Sequence, residues 1–316
     1  MYDVACVGVL CADVLAKPVD SLPEKGKLGL IDQLQLQIGG CASNTAIDLA
    51  KIGLKSIMIG KIGADGFGQF LQDTLQNAGV ETSGLHVDKT IQTSASVVLI
   101  GQDGERSILH CLGSNSRFTF EDIHLELVKQ SKILFIAGTF LMPQFDGAGA
   151  EKLLKLAKDA GRVSCMDTAW DSTGQWMKKI EKTLQYLDWF MPSYEEAKEL
   201  SGKTDPAVIA EAFKAKGTKN VVIKLGKDGC YVKSEHDQGF YTPTYTDVKV
   251  IDTSGAGDAF CAGFLTGLVK GWDIQACARF ANAVGTHCVM AIGTTTGIKS
   301  LAETLTFMQT HPLDKV

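Results

Sequence analysis

The stretch Asp252-Thr-Ser-Gly-Ala-Gly-Asp-Ala-Phe260 decides how this chain is read. Gly255, Ala256 and Gly257 build a turn directly ahead of an apolar helical run, Ala259 to Val269, and Asp258 stands at the junction. Free N–H groups at a helix start form an anion site. A carboxylate beside such a site can face a hydroxyl about to attack a phosphate, the layout that phosphoryl transfer needs. The N–H groups of residues 255–258 would hold the phosphoryl oxygens as charge redistributes. Asp258, at a helix N-terminus, is expected to stay ionised. It need not be a strong base, because a loose transition state releases the hydroxyl proton late. Gly-x-Gly alone would read as a cap on a buried helix; Asp252, Ser254 and Asp258 in the same nonapeptide favour the anion site.

Outward from this segment, short apolar strands alternate with helical patterns. Val4–Leu10, Ser56–Ile59, Ile133–Ala137, Val163–Met166, Trp189–Met191 and Val221–Leu225 read as strands. Ser43–Ile52, Phe67–Ala78 and Gly149–Ala160 read as helices, and three more close the chain near Ala256–Val269, Asp273–Met290 and Leu301–Thr310. This pattern predicts one α/β domain over residues 1–316, with a mainly parallel central sheet and helices on both faces. Two segments interrupt the alternation, about 14–38 and 94–112. Both read as strands without helices, and Asp103-Gly104 in the second is a hairpin signal. They predict a small antiparallel β lid projecting from the body, or plain surface hairpins.

The 316 residues include 45% hydrophobic and 21% charged residues, ordinary for a globular chain. A net charge of −5 argues against a nucleic-acid partner. Nine cysteines without a C-x-x-C pair argue against a disulfide framework or zinc ribbon and for a reducing, cytoplasmic setting. The N-terminal MYDVACVGVLCAD lacks a basic start and reads as a first strand rather than a signal peptide. No run approaches the ~18 apolar residues of a membrane span.

Two familiar nucleotide motifs are missing. Gly26-Lys27 and Gly226-Lys227 lack the rest of a P-loop, and Gly60-x-x-Gly63 and Gly63-x-x-Gly66 lack the first half of a Rossmann fingerprint. The 252–260 segment instead resembles the second signature of the ribokinase-like (PfkB) carbohydrate kinase family. Gly39-Gly40-Cys-Ala-Ser-Asn44-Thr-Ala46, running into Leu49-Ala50-Lys-Ile-Gly53, resembles the first, in matching order and separation. The resemblance spans essentially the whole chain and implies a three-layer α/β/α fold with a β lid.

It also implies roles. Asp258 would be the base that takes the proton from the acceptor hydroxyl, with Gly255, Ala256 and Gly257 as the anion hole. Asp13, Gly39, Gly40 and Asn44 match family positions that bind the sugar. Asp13 also ends the loop after the first strand, where a parallel sheet places ligands, although a lone Asp there is commonly a turn residue. Lys224, Gly226 and Asn282 fall on the nucleotide side; Lys224 reads equally as a solvated lysine between strands. Asp252 and Ser254, with the carbonyls of Cys288, Ala291 and Gly293, match a monovalent-cation (K+) site, but a further ligand position falls on Gly297, and Asp252 reads equally as a helix-approach cap. The family's Asn-x-x-Glu appears as Ser193-x-x-Glu196. Glu196 would order water around Mg2+, yet the same spacing is a helix capping box. Arg106 and Asn115 flank the second lid hairpin and are expected to reach the substrate.

The leading expectation is an ATP- and Mg2+-dependent kinase acting on a hydroxymethyl group of a sugar. A nucleoside kinase of the same fold, with Phe140, Met142 and Gln144 helping to build its pocket, and a sugar-binding regulator without catalysis are the alternatives. Leu30, Leu34 and Leu36 would either pair two lids in a homodimer or cover the chain's own substrate.

Overall fold

Strand β1 (Tyr2–Gly8) shows why the strands of this chain are unbroken apolar runs. Val4 and Cys6 pack into one core, and Ala5 and Val7 into a second core on the opposite face. Successive side chains on a strand point to opposite faces, so a sheet covered on both sides needs apolar residues at every position. The computed structural model describes residues 1–311 and 313.

After β1 come β2 (Cys11–Lys17), β3 (Gln33–Gly39), α1 (Cys41–Ile52), β4 (Ser56–Gly63), α2 (Gly66–Asn77) and β5 (Glu81–Asp88). A hairpin, β6 (Ala95–Ile100) and β7 (Arg106–Cys111), precedes α3 (Leu125–Lys129), β8 (Ser131–Thr139), α4 (Ala148–Asp159) and β9 (Val163–Thr168). Then follow α5 (Met177–Leu184), β10 (Trp189–Phe190), α6 (Tyr194–Ser201), α7 (Pro206–Lys214), β11 (Asn220–Lys224), β12 (Cys230–Lys233) and β13 (Phe240–Thr242). The last helices are α8 (Ala256–Lys270), α9 (Ile274–Val289) and α10 (Leu301–Thr310).

The large sheet has nine strands in the order β13-β12-β11-β10-β9-β8-β1-β4-β5. Its strands run parallel from β5 to β11, and β12 and β13 extend that edge antiparallel. Leu49 of α1, Leu71 of α2, Phe264 of α8 and Phe280 of α9 lie in the core on one face. Leu153 of α4, Ile180 of α5, Ala197 of α6 and Phe213 of α7 lie in the core on the other. The result is the expected three-layer α/β/α body. No helix among the described residues is long and apolar enough to cross a membrane.

The second sheet has four strands in the order β3-β2-β6-β7. Each hairpin is antiparallel, and the two are joined through a parallel β2–β6 pair. The first lid strand starts at Cys11, ahead of the expected residue 14, because β2 pairs with β3 along its full length down to Cys11–Gly39. β7 is exposed at every position. Leu30 and Leu34 are 90% and 68% exposed.

Candidate active site

Helix α8 starts at a forced turn. Gly255 has φ 78°, and a Cβ there would lie 2.5 Å from the Thr294 carbonyl oxygen. Only glycine combines that dihedral with that approach. The N–H of Ala256 turns back to the Thr253 carbonyl at 3.3 Å. Among the described residues, the N–H groups of Gly255, Gly257 and Asp258 meet no acceptor. The helix start therefore presents donors, with Ala256 contributing less than its neighbours.

Asp258 sits in the first turn of α8. Its Oδ2 accepts from Asn44 Nδ2 at 2.8 Å. Thr294 Oγ1 donates to Asn44 Oδ1 at 2.9 Å, which points the amide nitrogen at the carboxylate. Thr45 Oγ1 donates to the Asp258 carbonyl at 3.3 Å. Thus α1, carrying the first glycine signature, is tied directly to α8, carrying the second. Burial pushes the Asp258 carboxyl up to about 7, with the Asn44 N–H holding it back. Loss of water around the carboxylate works against the ionised form that the helix start favours, and the Asn44 N–H works for it. Asp48, one turn below Asn44 on α1, is fully buried with no partner for either oxygen among the described residues, and burial holds its carboxyl well above the usual range.

Lys224, which the sequence reading singled out, has a partner that sequence reasoning missed, Asp167. Lys224 Nζ, at the end of β11, donates to Asp167 Oδ2 at 2.6 Å; Asp167 is buried and the lysine side chain is largely covered. Burial raises the Asp167 carboxyl to about 6 while the lysine pulls it down. Burial disfavours the Lys224 charge, but Asp167 outweighs it and holds the ammonium above the usual lysine range. Lys224 is thus no solvated surface lysine. Its Nζ lies 3.5 Å from where a Cβ of Gly257 would stand, beside the anion turn. The signal for Asp167 was present: it ends a parallel strand, as Asp13 follows one, and ligands gather at such ends.

Glu196 performs the capping role and keeps an atom to spare. Its Oε2 accepts from the Ser193 N–H at 3.0 Å and from Thr168 Oγ1 at 2.9 Å, closing the capping box of α6. Its Oε1 meets no donor among the described residues. Glu196, Lys224, Gly226, Asp258 and Asn282 all line one cleft of about 770 Å3. Asn282 helps to shape its wall: Nδ2 donates to the carbonyls of Thr242 and Pro243, both at 3.1 Å, fixing the chain after β13.

On the other side of Asp258 lies a polar cluster beneath the lid. Asp13 Oδ1 accepts from the Cys11 thiol at 3.1 Å. A Cβ on Gly39 would fall 2.0 Å from Asp13 Oδ2, so the glycine leaves room for that carboxylate. Gly40 precedes α1 directly. Ser96 Oγ and His110 Nδ1, on β6 and β7, lie 3.0 Å apart, and the hydroxyl is 3.3 Å from the Cys11 sulfur. Asn115 is buried and donates to the Leu10 carbonyl at 2.8 Å, leaving its own Oδ1 without a donor.

Several expectations are relocated. Met142 is fully buried in the core, Gln144 is exposed, and Phe140 packs edge-on against Trp176. Arg106 is committed elsewhere: its Nη2 donates to Asp252 Oδ1 at 2.7 Å and its Nη1 to Ser254 Oγ. Asp252 Oδ2 accepts from the Gly293 N–H at 3.0 Å, and its Oδ1 also accepts from the Ser254 N–H at 2.9 Å. Burial would raise this carboxyl, yet those N–H groups and the guanidinium hold it below the usual range. The Cys288 thiol reaches the carbonyls of Ser254 and Thr294 at 3.3 and 3.2 Å, and the Cys288 carbonyl accepts from the Ala291 N–H at 3.3 Å.

Comparison with known proteins agrees with this architecture. A family model for pfkB family carbohydrate kinases matches residues 1–301. The chain is 28% identical over 291 residues to fructokinase-2 of Solanum lycopersicum, covering 86% of this chain and 87% of that protein. The structure of Arabidopsis thaliana ribokinase complexed with ribose and ATP superposes with a TM-score of 0.86 at 24% identity, over 98% of this chain and 99% of that one. An Escherichia coli putative ribokinase II, solved with ATP and Mg2+, superposes with a TM-score of 0.84 at 22% identity, over 98% and 100%. With both glycine signatures joined at one carboxylate and the family model spanning nearly its whole length, this chain belongs to the pfkB family of carbohydrate kinases.

Proposed function

We propose that the chain transfers the γ-phosphoryl group of ATP to a hydroxymethyl group of a sugar or sugar derivative, with Asp258 as the base. The observation that carries this reading is the Asn44–Asp258 hydrogen bond of 2.8 Å at the start of α8, beside N–H groups that meet no acceptor. Asp258 accepts the acceptor hydroxyl's proton and orients its oxygen toward the phosphorus. The O–P bond to the sugar forms as the bond to the leaving diphosphate breaks. The N–H groups of Gly255, Gly257 and Asp258 take up charge on the transferring oxygens, with Lys224 beside Gly257 adding a fixed positive charge.

ATP lies in the 770 Å3 cleft, its phosphates toward Lys224, Gly226 and the α8 start, and its base toward the wall held by Asn282. The free Oε1 of Glu196 suits water around Mg2+, which when bound would neutralise phosphate charge. The similar proteins solved with ATP, and with ATP and Mg2+, support this assignment.

On the acceptor side, Asp13, Ser96, His110 and Asn115 are all polar, which supports a polyhydroxylated sugar over a nucleoside. The exposed Leu30, Leu34, Ile108 and Leu109 support pairing of two lids, which light scattering tests. The test of the reaction is an assay of ATP-dependent phosphorylation across neutral sugars, sugar phosphates, sugar acids and nucleosides, followed by Asp258→Asn on the best acceptor. Preference for a nucleoside moves the reading to its nearest alternative, and near-normal turnover of the variant removes Asp258 from the base role.

A further inference from the structure

The turn at 252–254 stands at the mouth of α8 and carries a carboxylate where the family resemblance implied a bound monovalent cation. The donor set does not fit such an ion. Asp252 Oδ1 already receives two N–H groups, from Arg106 and Ser254, and Oδ2 receives the Gly293 N–H. The Ser254 hydroxyl meets the second guanidinium nitrogen. The carbonyls of Ser254 and Thr294 converge on the Cys288 thiol. Burial pushes that thiol up to about 12, so it stays a donor. The Cys288 carbonyl already accepts the Ala291 N–H at 3.3 Å with one of its two lone pairs. At 297 there is no side chain, and a Cβ would lie 2.1 Å from the His287 carbonyl oxygen, so this position offers no ligand and has no room for one.

We propose that Arg106 is the resident counter-charge of this turn, and that the protein therefore does without a monovalent metal ion. The guanidinium is always charged and presents two donors in a fixed fork. Here it places one donor on Asp252 and the other on Ser254, across a sequence separation of 146 residues from Asp252. An unpaired carboxylate at this point would oppose the transferring phosphoryl charge at the adjacent helix start. Arg106 removes that field, and because it belongs to lid strand β7 it also fixes the lid edge to the anion turn. Arg106 acts through the turn and touches no reacting atom, so its role is positioning.

This inference adds to the phosphotransfer reading, and the first arm of its test needs no kinase activity. Thermal melts of the wild-type protein in K+, Na+ and tetramethylammonium chloride at equal ionic strength are expected to coincide. A K+-selective rise in melting temperature overturns the proposal, whether or not the protein phosphorylates any acceptor. In the second arm, turnover of the wild type is expected to be the same in the three salts. Arg106→Ala is expected to lose roughly 10- to 100-fold, the loss that follows removal of a charge-assisted hydrogen bond. Added guanidinium ion is expected to restore part of it, and Arg106→Lys to retain an intermediate rate. Wild-type turnover in Arg106→Ala, or a loss that guanidinium leaves untouched in a folded variant, overturns it.

Discussion

Asp252 and Asp258 stand at the two ends of one turn, and their surroundings push them in opposite directions. Asp252 receives N–H groups from Ser254 and Gly293 and a guanidinium from Arg106, and its carboxyl is held below the usual range. Asp258 receives one amide N–H, from Asn44, and burial lifts its carboxyl to about 7. General-base help is best when the group's pKa lies near the working pH, so lifting a carboxyl toward neutrality suits that role and pairing it with donors does not. A pair of acidic groups driven apart by environment marks a division of labour. On the proposed reading, the first end fixes the turn and the second handles the proton.

Breaking the second end has the largest expected effect. Asp258→Asn should lower turnover by about 10²–10⁴, the worth of general-base help, while leaving the fold intact by circular dichroism. Asn44→Ala comes next. It removes the donor that holds Asp258 down, so turnover should fall roughly 10- to 100-fold. The acid limb of the kcat/KM profile should move to higher pH, which steady-state kinetics across pH would show. Asp252→Asn should cost about 2- to 10-fold, a loss in the range of an ordinary hydrogen bond, and leave the acid limb where it is. If that limb moved as it does for Asn44→Ala, the two ends would not be separate.

The smallest effects concern pH alone. In the free enzyme, kcat/KM should fall as pH drops through about 7, because Asp258 must be ionised to accept a proton. Stability runs the other way. The folded carboxyl binds its proton more tightly than the unfolded one, whose ordinary value is 3.8, so its contribution weakens as pH rises from about 4 to about 7. Urea titrations at several pH values should show this slope, and Asp258→Asn should flatten it.

The body of the molecule was legible because local chemistry and topology agree there. Strands buried on both faces must be continuous apolar runs, and glycines at forced turns mark where strands hand over to the site. β1 and the start of α8 are both read directly from such signals. What was not legible depends on contacts between distant segments. The parallel pairing of β2 with β6 has no local signature, since each strand looks the same whichever neighbour it meets. Arg106 sits beside a hairpin turn and looked free to reach a ligand, but its partners lie on the far side of the sequence. Asp167 at the end of β9 was readable by the same rule that singled out Asp13, yet its weight comes from Lys224, at the end of β11. Glu196 closes the capping box with one oxygen, which leaves the other for the proposed Mg2+ role.

The amide of Asn44 has a polarity, and Thr294 sets it. With the Thr294 hydroxyl on Oδ1, the nitrogen faces Asp258 and favours the ionised carboxylate. Turned over, the same amide would present an oxygen and favour the protonated acid instead. A single threonine on the loop after α9 therefore acts as a keying pin: it decides which of two isosteric faces the carboxylate meets, and through that whether Asp258 is poised to receive a proton or to keep one.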